Sequence, residues 1–267
     1  MFSGTRNMTL YDRVLDVNID FGDTHTTSVL AFALFYSIDY VFRTFQPEIK
    51  DVQSTYALTR FRNYSISVIH AVISGLSSLI CLCAYPDLVY NIIESENVFA
   101  YHIMGFATGY FVHDIYHNIC GGVGLRSLEI ILHHITVLTC FFVVSSYRIL
   151  VCYALFGLLM ELNSIFLHAR QVLIFLNIAP RSLAYRVNAV ANIITFIIFR
   201  ICLTLSLFAW AILNRHKLPV VVSWILISSF TIFTIMNLVL FWRVITAEQR
   251  ILQSSQCKPT LVNGKTE

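Results

Sequence analysis

The chain is laid out as long apolar blocks with little between them, and that layout most narrows what it can fold into. A helix that crosses a bilayer needs about 20 mostly apolar residues. Seven blocks meet or approach that need: 24–43, 63–85, 97–117, 127–146, 149–167, 187–213 and 218–242. The first is the weakest, because it begins with threonines and carries Asp39. The stretch 171–179 is apolar but too short to span, and is expected at the interface or re-entering before Pro180. Composition agrees: 57% of residues are hydrophobic and 12% charged, where a soluble domain carries about 25% charged. The expected fold class is an all-α integral membrane protein, a bundle or barrel of six to seven transmembrane helices. No soluble domain fits in the gaps.

The charges orient the chain. Lysine and arginine favour cytosolic loops. With the N-terminus outside, twelve of them fall inside (Arg43, Lys50, Arg60, Arg62, Arg126, Arg170, Arg181, Arg186, Arg243, Arg250, Lys258, Lys265) and five outside. The segment 86–96 has neither, and carries Asp87, Glu94 and Glu96. The expected topology is therefore N-out and C-in. The first 23 residues hold no apolar core of a signal peptide, so the first span is expected to direct membrane targeting. Asn7-Met8-Thr9 matches a glycosylation acceptor on the outer side, which makes Asn7 a candidate modification site. Asn63-Tyr64-Ser65 also matches, but at the cytosolic edge. The net charge of +3 is too small to imply a nucleic-acid partner. Most of the seven cysteines lie within the apolar runs, which implies no disulfide framework.

Polar groups inside the blocks carry the functional signal. A charged side chain at the centre of a spanning helix costs about 2.5–3.5 kcal/mol on insertion scales. Asp39, His70, Asp114, His133, His134, Glu161, Asn192 and Asn237 all fall within roughly 10 Å of the cytosolic ends of their spans, counting 1.5 Å per residue. Arg200 lies deepest, and His102 alone lies toward the outer face. The pattern is a layer, and it predicts a polar cavity open toward the cytosolic side. Helical phase agrees: Asn188, Asn192 and Arg200 follow one stripe, and Glu161 and His168 share a face. Such groups can also serve only to bond helices together. Arg200 needs a carboxylate partner, for which Asp114 and Glu161 are the candidates. The histidine pair is not explained by such an ion pair. His113-x-x-x-His117 and His133-His134 invite comparison with the histidine boxes of membrane di-iron enzymes, but no HxxHH occurs. No metal site is expected, and no phosphate loop, nucleotide fingerprint or GxSxG elbow is present.

Five segments carry a resemblance: RFRNYSISVIHAVISG (60–75), GYFVHDIYHN (109–118), LEIILHHITVL (128–138), LMELNSIFLHAR (159–170) and YRVNAVANIITFIIFRI (185–201). In order and content they resemble the TLC domain, named after TRAM, Lag and CLN. The resemblance covers residues 50–245, between a 24–49 first span with its loop and a 246–267 cytosolic tail; residues 1–23 form a short polar tail. Within the family the chain looks most like TLC domain-containing proteins 1 and 2. That branch implies a role in phospholipid composition and fluidity of the plasma membrane, limiting incorporation of polyunsaturated acyl chains. The distant ceramide synthases imply acyl transfer from acyl-CoA to a long-chain amine, with His133 and His134 in catalysis by position. Where those enzymes carry His-Asp and a further Asp on the next helix, this chain has Glu161, Asn163 and His168.

Three readings follow. The first is a regulator of membrane lipid composition. The second is an acyltransferase, with His133 or His134 as base or nucleophile and Asp114 or Glu161 orienting it. The third is a non-catalytic lipid-binding or trafficking protein. His70, His117, Asn163, His168, Asn188, Asn192 and Arg200 are candidate cavity residues. No cofactor is implied, although acyl-CoA is the co-substrate of the second reading. The expected partners are membrane phospholipids or fatty acyl chains, and homo-oligomerisation is left open. The plasma membrane is the expected location, with the endoplasmic reticulum as second choice.

Overall fold

The computed structural model describes residues 22–45, 55–120 and 125–256. Asn7 lies outside them. The described residues form helices α1 (Gly22–Thr44), α2 (Thr55–Ala84), the single turn α3 (Asp87–Tyr90), α4 (Val98–Cys120), α5 (Leu125–Tyr147), α6 (Val151–Leu158), α7 (Glu161–Phe175), α8 (Leu183–Thr195), α9 (Leu203–Leu213) and α10 (Val220–Gln256). Among the described residues there is no strand. α8 runs into α9 through a wide π turn, Phe196–Cys202.

Five segments are long and apolar enough to cross a membrane: Ala57–Ala84, Leu128–Tyr147, Val151–Phe175, Leu183–Leu213 and Val220–Ile251. The protein is therefore a multi-pass membrane protein. α1 and α4 have 23 residues each but are not among the five. Asp39 and Arg43 dilute the first, and His102, His113, Asp114 and His117 the second. The expected count of six to seven goes beyond these five. Large apolar side chains also face outward, among them Leu30, Ile80, Phe142, Trp224 and Leu238. A surface of that kind suits hydrocarbon rather than water.

One expectation is corrected. The stretch 171–179 is not a re-entrant segment of its own. Its first five residues are the last turns of α7, which ends where Asn177 adopts a left-handed conformation, φ 53°. The Ile178 N–H then closes back on the Leu173 carbonyl at 3.0 Å, the wide-loop hydrogen bond of a left-handed helix stop. The next helix restarts at Ser182, whose hydroxyl accepts from the Tyr185 N–H; Ser is a preferred N-cap for that reason.

Six rods close into a ring. α2 packs on α4, α4 on α5, α5 on α10, α10 on the α8–α9 rod, α8 on α7, and α7 back on α2. α1 lies outside the ring, along α4. Its close approach depends on Gly105 and Gly109: a Cβ on Gly105 would come within 2.7 Å of the Thr24 carbonyl, and one on Gly109 would strike the backbone of Ser28 and Phe32. Such small-x-x-x-small faces let membrane helices meet backbone to backbone. α6 occupies the ring's interior. It touches α2, α4, α5 and α9, and Ile149, Leu150, Val151, Cys152 and Leu155 are fully buried. The chain enters this plug through a tight turn in which Arg148 and Leu150 have φ of 51° and 63°, and the Leu150 N–H donates to the Ile93 carbonyl at 2.8 Å. The chain runs on through Leu159 and Met160, both with right-handed helical dihedrals, into α7, which packs on α2 and α8 in the wall. One end of the ring is thus filled, and the other encloses a space.

Candidate functional site

That space is a cavity of about 360 Å³, walled by α2, α4, α5, α7, the π turn and α10. His133 and His134 are neighbours near the start of α5, so at 3.6 residues per turn they point about 100° apart. His134 faces α4. It is buried against Phe111, ring centroids 4.8 Å apart, and its Nδ1 lies 3.2 Å from Asp114 Oδ2. Asp114 also accepts from Asn118 Nδ2 at 2.9 Å. His133 faces α10, with its ring 5.3 Å from that of Phe233 and 5.4 Å from that of His134. It is half-buried, lines the cavity, and has no hydrogen-bond partner among the described residues. A carboxylate against one ring nitrogen fixes the orientation of the imidazole. The pair therefore offers one anchored and one unengaged imidazole side by side, a suitable arrangement for moving a proton or attacking a carbonyl.

Arg200 and Glu161 form the opposite wall. Arg200 lies within the π turn, and Asn237 on α10 meets it twice: its Nδ2 donates to the Arg200 carbonyl at 3.2 Å, and its Oδ1 accepts from Arg200 Nη1 at 3.2 Å. π turns often mark functional positions. Arg200 Nη2 also donates to Ser164 Oγ at 2.8 Å. The expected ion pair between Arg200 and Asp114 or Glu161 is not formed among the described residues. Asp114 is taken by His134, and the neutral Ser164 and Asn237 meet the guanidinium instead. Glu161 opens α7 directly after the Leu159–Met160 turn, one helical turn before Ser164, and faces the same cavity. His168 lines it two turns further on.

Of the sequence candidates, His133, His134, Asp114, Glu161, His168 and Arg200 line the cavity together, as does Asn237 of the polar layer. The remainder do not, and each has other work. His70 lies behind the wall, stacked on Tyr110 with centroids 3.7 Å apart, and shares a hydrogen bond with Ser74. Asn163 Nδ2 donates to the carbonyl and side chain of Asn192, both at 3.0 Å, and Asn188 donates to the Phe166 carbonyl, so these three bond α7 to α8. His117 sits 3.5 Å from Arg62 and 4.0 Å from Asp39, in a cluster outside the ring. They sit behind or beside the cavity, because neighbouring helices compete for the same polar stripe.

Sequence reasoning passed over several lining groups. Ser164 could have been found, since it lies between Glu161 and His168 at helical spacing. Asn63, Ser67 and Tyr110 give no sequence signal; the Tyr110 hydroxyl donates to Ser67 at 2.8 Å across the α2–α4 contact. Glu129 and Arg243, paired across α5 and α10, close the mouth between those helices. Among the described residues no group of three or more His, Cys, Asp or Glu side chains is arranged to hold a metal ion.

A smaller cavity of about 60 Å³ continues from the first. It shares Phe111, His133, Glu161 and Arg200, and is otherwise walled almost wholly by apolar side chains of α5, α6 and α10.

Comparison with known sequences adds an independent finding. The sequence profile of the TLC domain matches residues 60–246. The chain is 35% identical to TLC domain-containing protein 2 of Danio rerio over 193 residues, which is 71% of this chain and 76% of the relative. It is 30% identical to TLC domain-containing protein 1 of Homo sapiens over 142 residues, covering 53% of this chain and 57% of the relative. The human TLC domain-containing protein 2 is 26% identical over 204 residues, 76% of each chain.

Proposed function

The chain belongs to the TLC domain family, and on that premise we propose that it sets the acyl composition of membrane phospholipids. In this reading it limits incorporation of polyunsaturated chains and thereby lowers membrane fluidity. The observation that carries it is the cavity itself. A polar chamber of about 360 Å³ opens into an apolar annex inside a membrane-embedded ring. A space polar at one side and apolar at the other suits an amphiphile: headgroup at Asp114, Glu161 and Arg200, chain toward the annex. The plasma membrane is the proposed location, with the polar end of the ring toward the cytosol.

A second reading draws on one further observation. His133 is unengaged beside a His134–Asp114 pair. That arrangement suits acyl transfer from acyl-CoA to a lipid amine or hydroxyl. His133 or His134 would take the acceptor's proton as the acceptor attacks the thioester carbonyl, and would give it to the sulfur as the C–S bond breaks and CoA leaves as its thiol. Arg200 would sit near the negative charge that develops on the carbonyl oxygen.

The test is the double variant His133→Ala, His134→Ala in cells that lack the protein. The phospholipid acyl profile is measured after rescue with equal amounts of inserted protein. Failure to restore the wild-type profile is the expected result. Full restoration rules out a role for the histidines and leaves lipid holding as the only surviving form of the proposal. Incubation of the purified protein with labelled acyl-CoA and lipid acceptors then separates transfer from regulation.

A further inference from the structure

The annex is more than spare volume beside the chamber. On α5 its wall is the stripe His133, Val137, Phe141 and Val144, which follows one helical face for about 16 Å at 1.5 Å per residue. Leu226, Phe230 and Phe233 of α10 face it. Its far end is closed by Tyr153, whose hydroxyl donates to the Leu207 carbonyl at 2.7 Å and whose ring packs on Phe230 and Trp210. Its third wall is the last turn of the plug α6, and there the side chain is missing: the residue is Gly157.

Gly157 differs from the glycines that let helices approach. A Cβ on Gly75, Gly105 or Gly109 would meet neighbouring atoms within 3.0 Å, whereas one on Gly157 would meet nothing within 4 Å. Gly157 is helical, has no positive φ and is not needed for close packing. In a helix interior glycine is disfavoured relative to nearly every other residue. What its absent side chain leaves is open space in the annex, directly between the plug and the His133 wall.

We propose that Gly157 keeps the annex open as the seat for the distal part of a lipid acyl chain, and so sets the chain length the protein accepts. The proposal rests on the lipid-handling reading above and deepens it. The occupant follows from the surroundings. Almost all of the wall is apolar, the imidazole and charged groups His133, Glu161 and Arg200 sit where the annex joins the chamber, and Tyr153 at the far end gives the chain an end stop. A chain whose carboxyl end lies near His133 would have its later methylenes beside Gly157. Each methylene buried there contributes about fourfold to affinity, so a side chain occupying the same volume acts as a length filter.

The experiment uses purified full-length protein in nanodiscs and measures competition between labelled octanoic and octadecanoic acids. Gly157→Leu is expected to lower affinity for octadecanoic acid at least about tenfold, the value of roughly two methylenes denied the site, and to leave octanoic acid unchanged. Phe141→Ala enlarges the same space and is expected to shift preference the opposite way. Thermal unfolding of both variants confirms that they fold. Wild-type protein that binds neither acid overturns the lipid-chamber reading itself. Wild-type protein that binds, with Gly157→Leu showing an unchanged length preference, overturns the role of Gly157 alone. A parallel shift in both variants also overturns it, because filling and enlarging one pocket must act in opposite directions.

Discussion

The two ends of the ring are built on different principles. At the plugged end, α6 brings Ile149, Leu150, Val151, Cys152 and Leu155 into the interior, where all are fully buried among apolar neighbours. At the open end, charged side chains tie helix to helix: Arg62 to Asp39, Arg170 to Glu248, and Arg243 to Glu129. Dispersion and shape hold the first, and charge pairing the second. In a bilayer this division has a physical basis. Lipid tails are as apolar as leucine, so burying leucine gains little over leaving it in lipid, and tight packing has to do the work. Charges, by contrast, are strongly disfavoured in hydrocarbon and hold firmly to one another. A cavity lined by polar groups is tolerable only at the end where charges already anchor the helices.

The largest expected effect lies in the ion cluster outside the ring. Asp39 is almost fully buried on α1 and receives Arg43 Nη2 at 2.7 Å as well as the buried Arg62 of α2. Asp39→Ala leaves Arg62 buried without its counter-charge, a loss of about 3–5 kcal/mol where a buried pair is broken on one side. Thermal unfolding in nanodiscs should show a large drop in midpoint. The double variant Asp39→Ala, Arg62→Met should recover much of it, because the pair is then removed as a unit. No recovery would mean that the cluster does not hold α1 in place.

Leu155→Ala tests the plugged end. Removing a fully buried leucine typically costs about 2–5 kcal/mol, through lost contacts and the void left behind. Because Leu155 lines neither the chamber nor its annex, lipid composition in rescued cells should match wild type once protein amounts are equalised. A changed lipid profile at equal abundance would show that the two ends do not divide the work as described.

The same division explains what could be read from the sequence. Helical class and membrane insertion follow from block length and apolarity, which each block carries by itself. His133, His134, Asp114, Glu161, His168 and Arg200 were identifiable because a polar group in an apolar run is costly and stands out. Their grouping around one cavity is a fact of the ring, as is the separation of His70, His117, Asn163, Asn188 and Asn192 from it. Helical phase puts Asn188, Asn192 and Arg200 on one stripe, but Arg200, within the π turn, lines the cavity while Asn192 stays against Asn163. Nothing in FIIFRIC announces that turn. The tightened turn at Leu159–Met160, where the backbone stays in right-handed helical dihedrals between α6 and α7, is equally silent. Both of its residues are good helix formers, and packing rather than propensity decides it.

The smallest expected effect sits at the mouth of the chamber. Glu129 and Arg243 join α5 to α10 through two hydrogen bonds, one of them 2.8 Å between Arg243 Nη2 and Glu129 Oε1. Both side chains are nearly half exposed, 46% and 49%. Exposed pairs of this kind contribute about 0.2–1 kcal/mol, because each charge keeps much of its hydration when the partner is lost. Glu129→Gln should therefore lower the unfolding midpoint only slightly, and the double variant Glu129→Gln, Arg243→Gln no further than either single change. The pair nevertheless spans the seam by which the cavity meets the outside, between Ile130 on one helix and Val239 and Leu240 on the other. If the open end owes its stability to charge pairs in proportion to their burial, this pair is the weakest tie there. A loss approaching that of Asp39→Ala would break the comparison. It would place the α5–α10 seam among the structural supports of the ring rather than at its mouth.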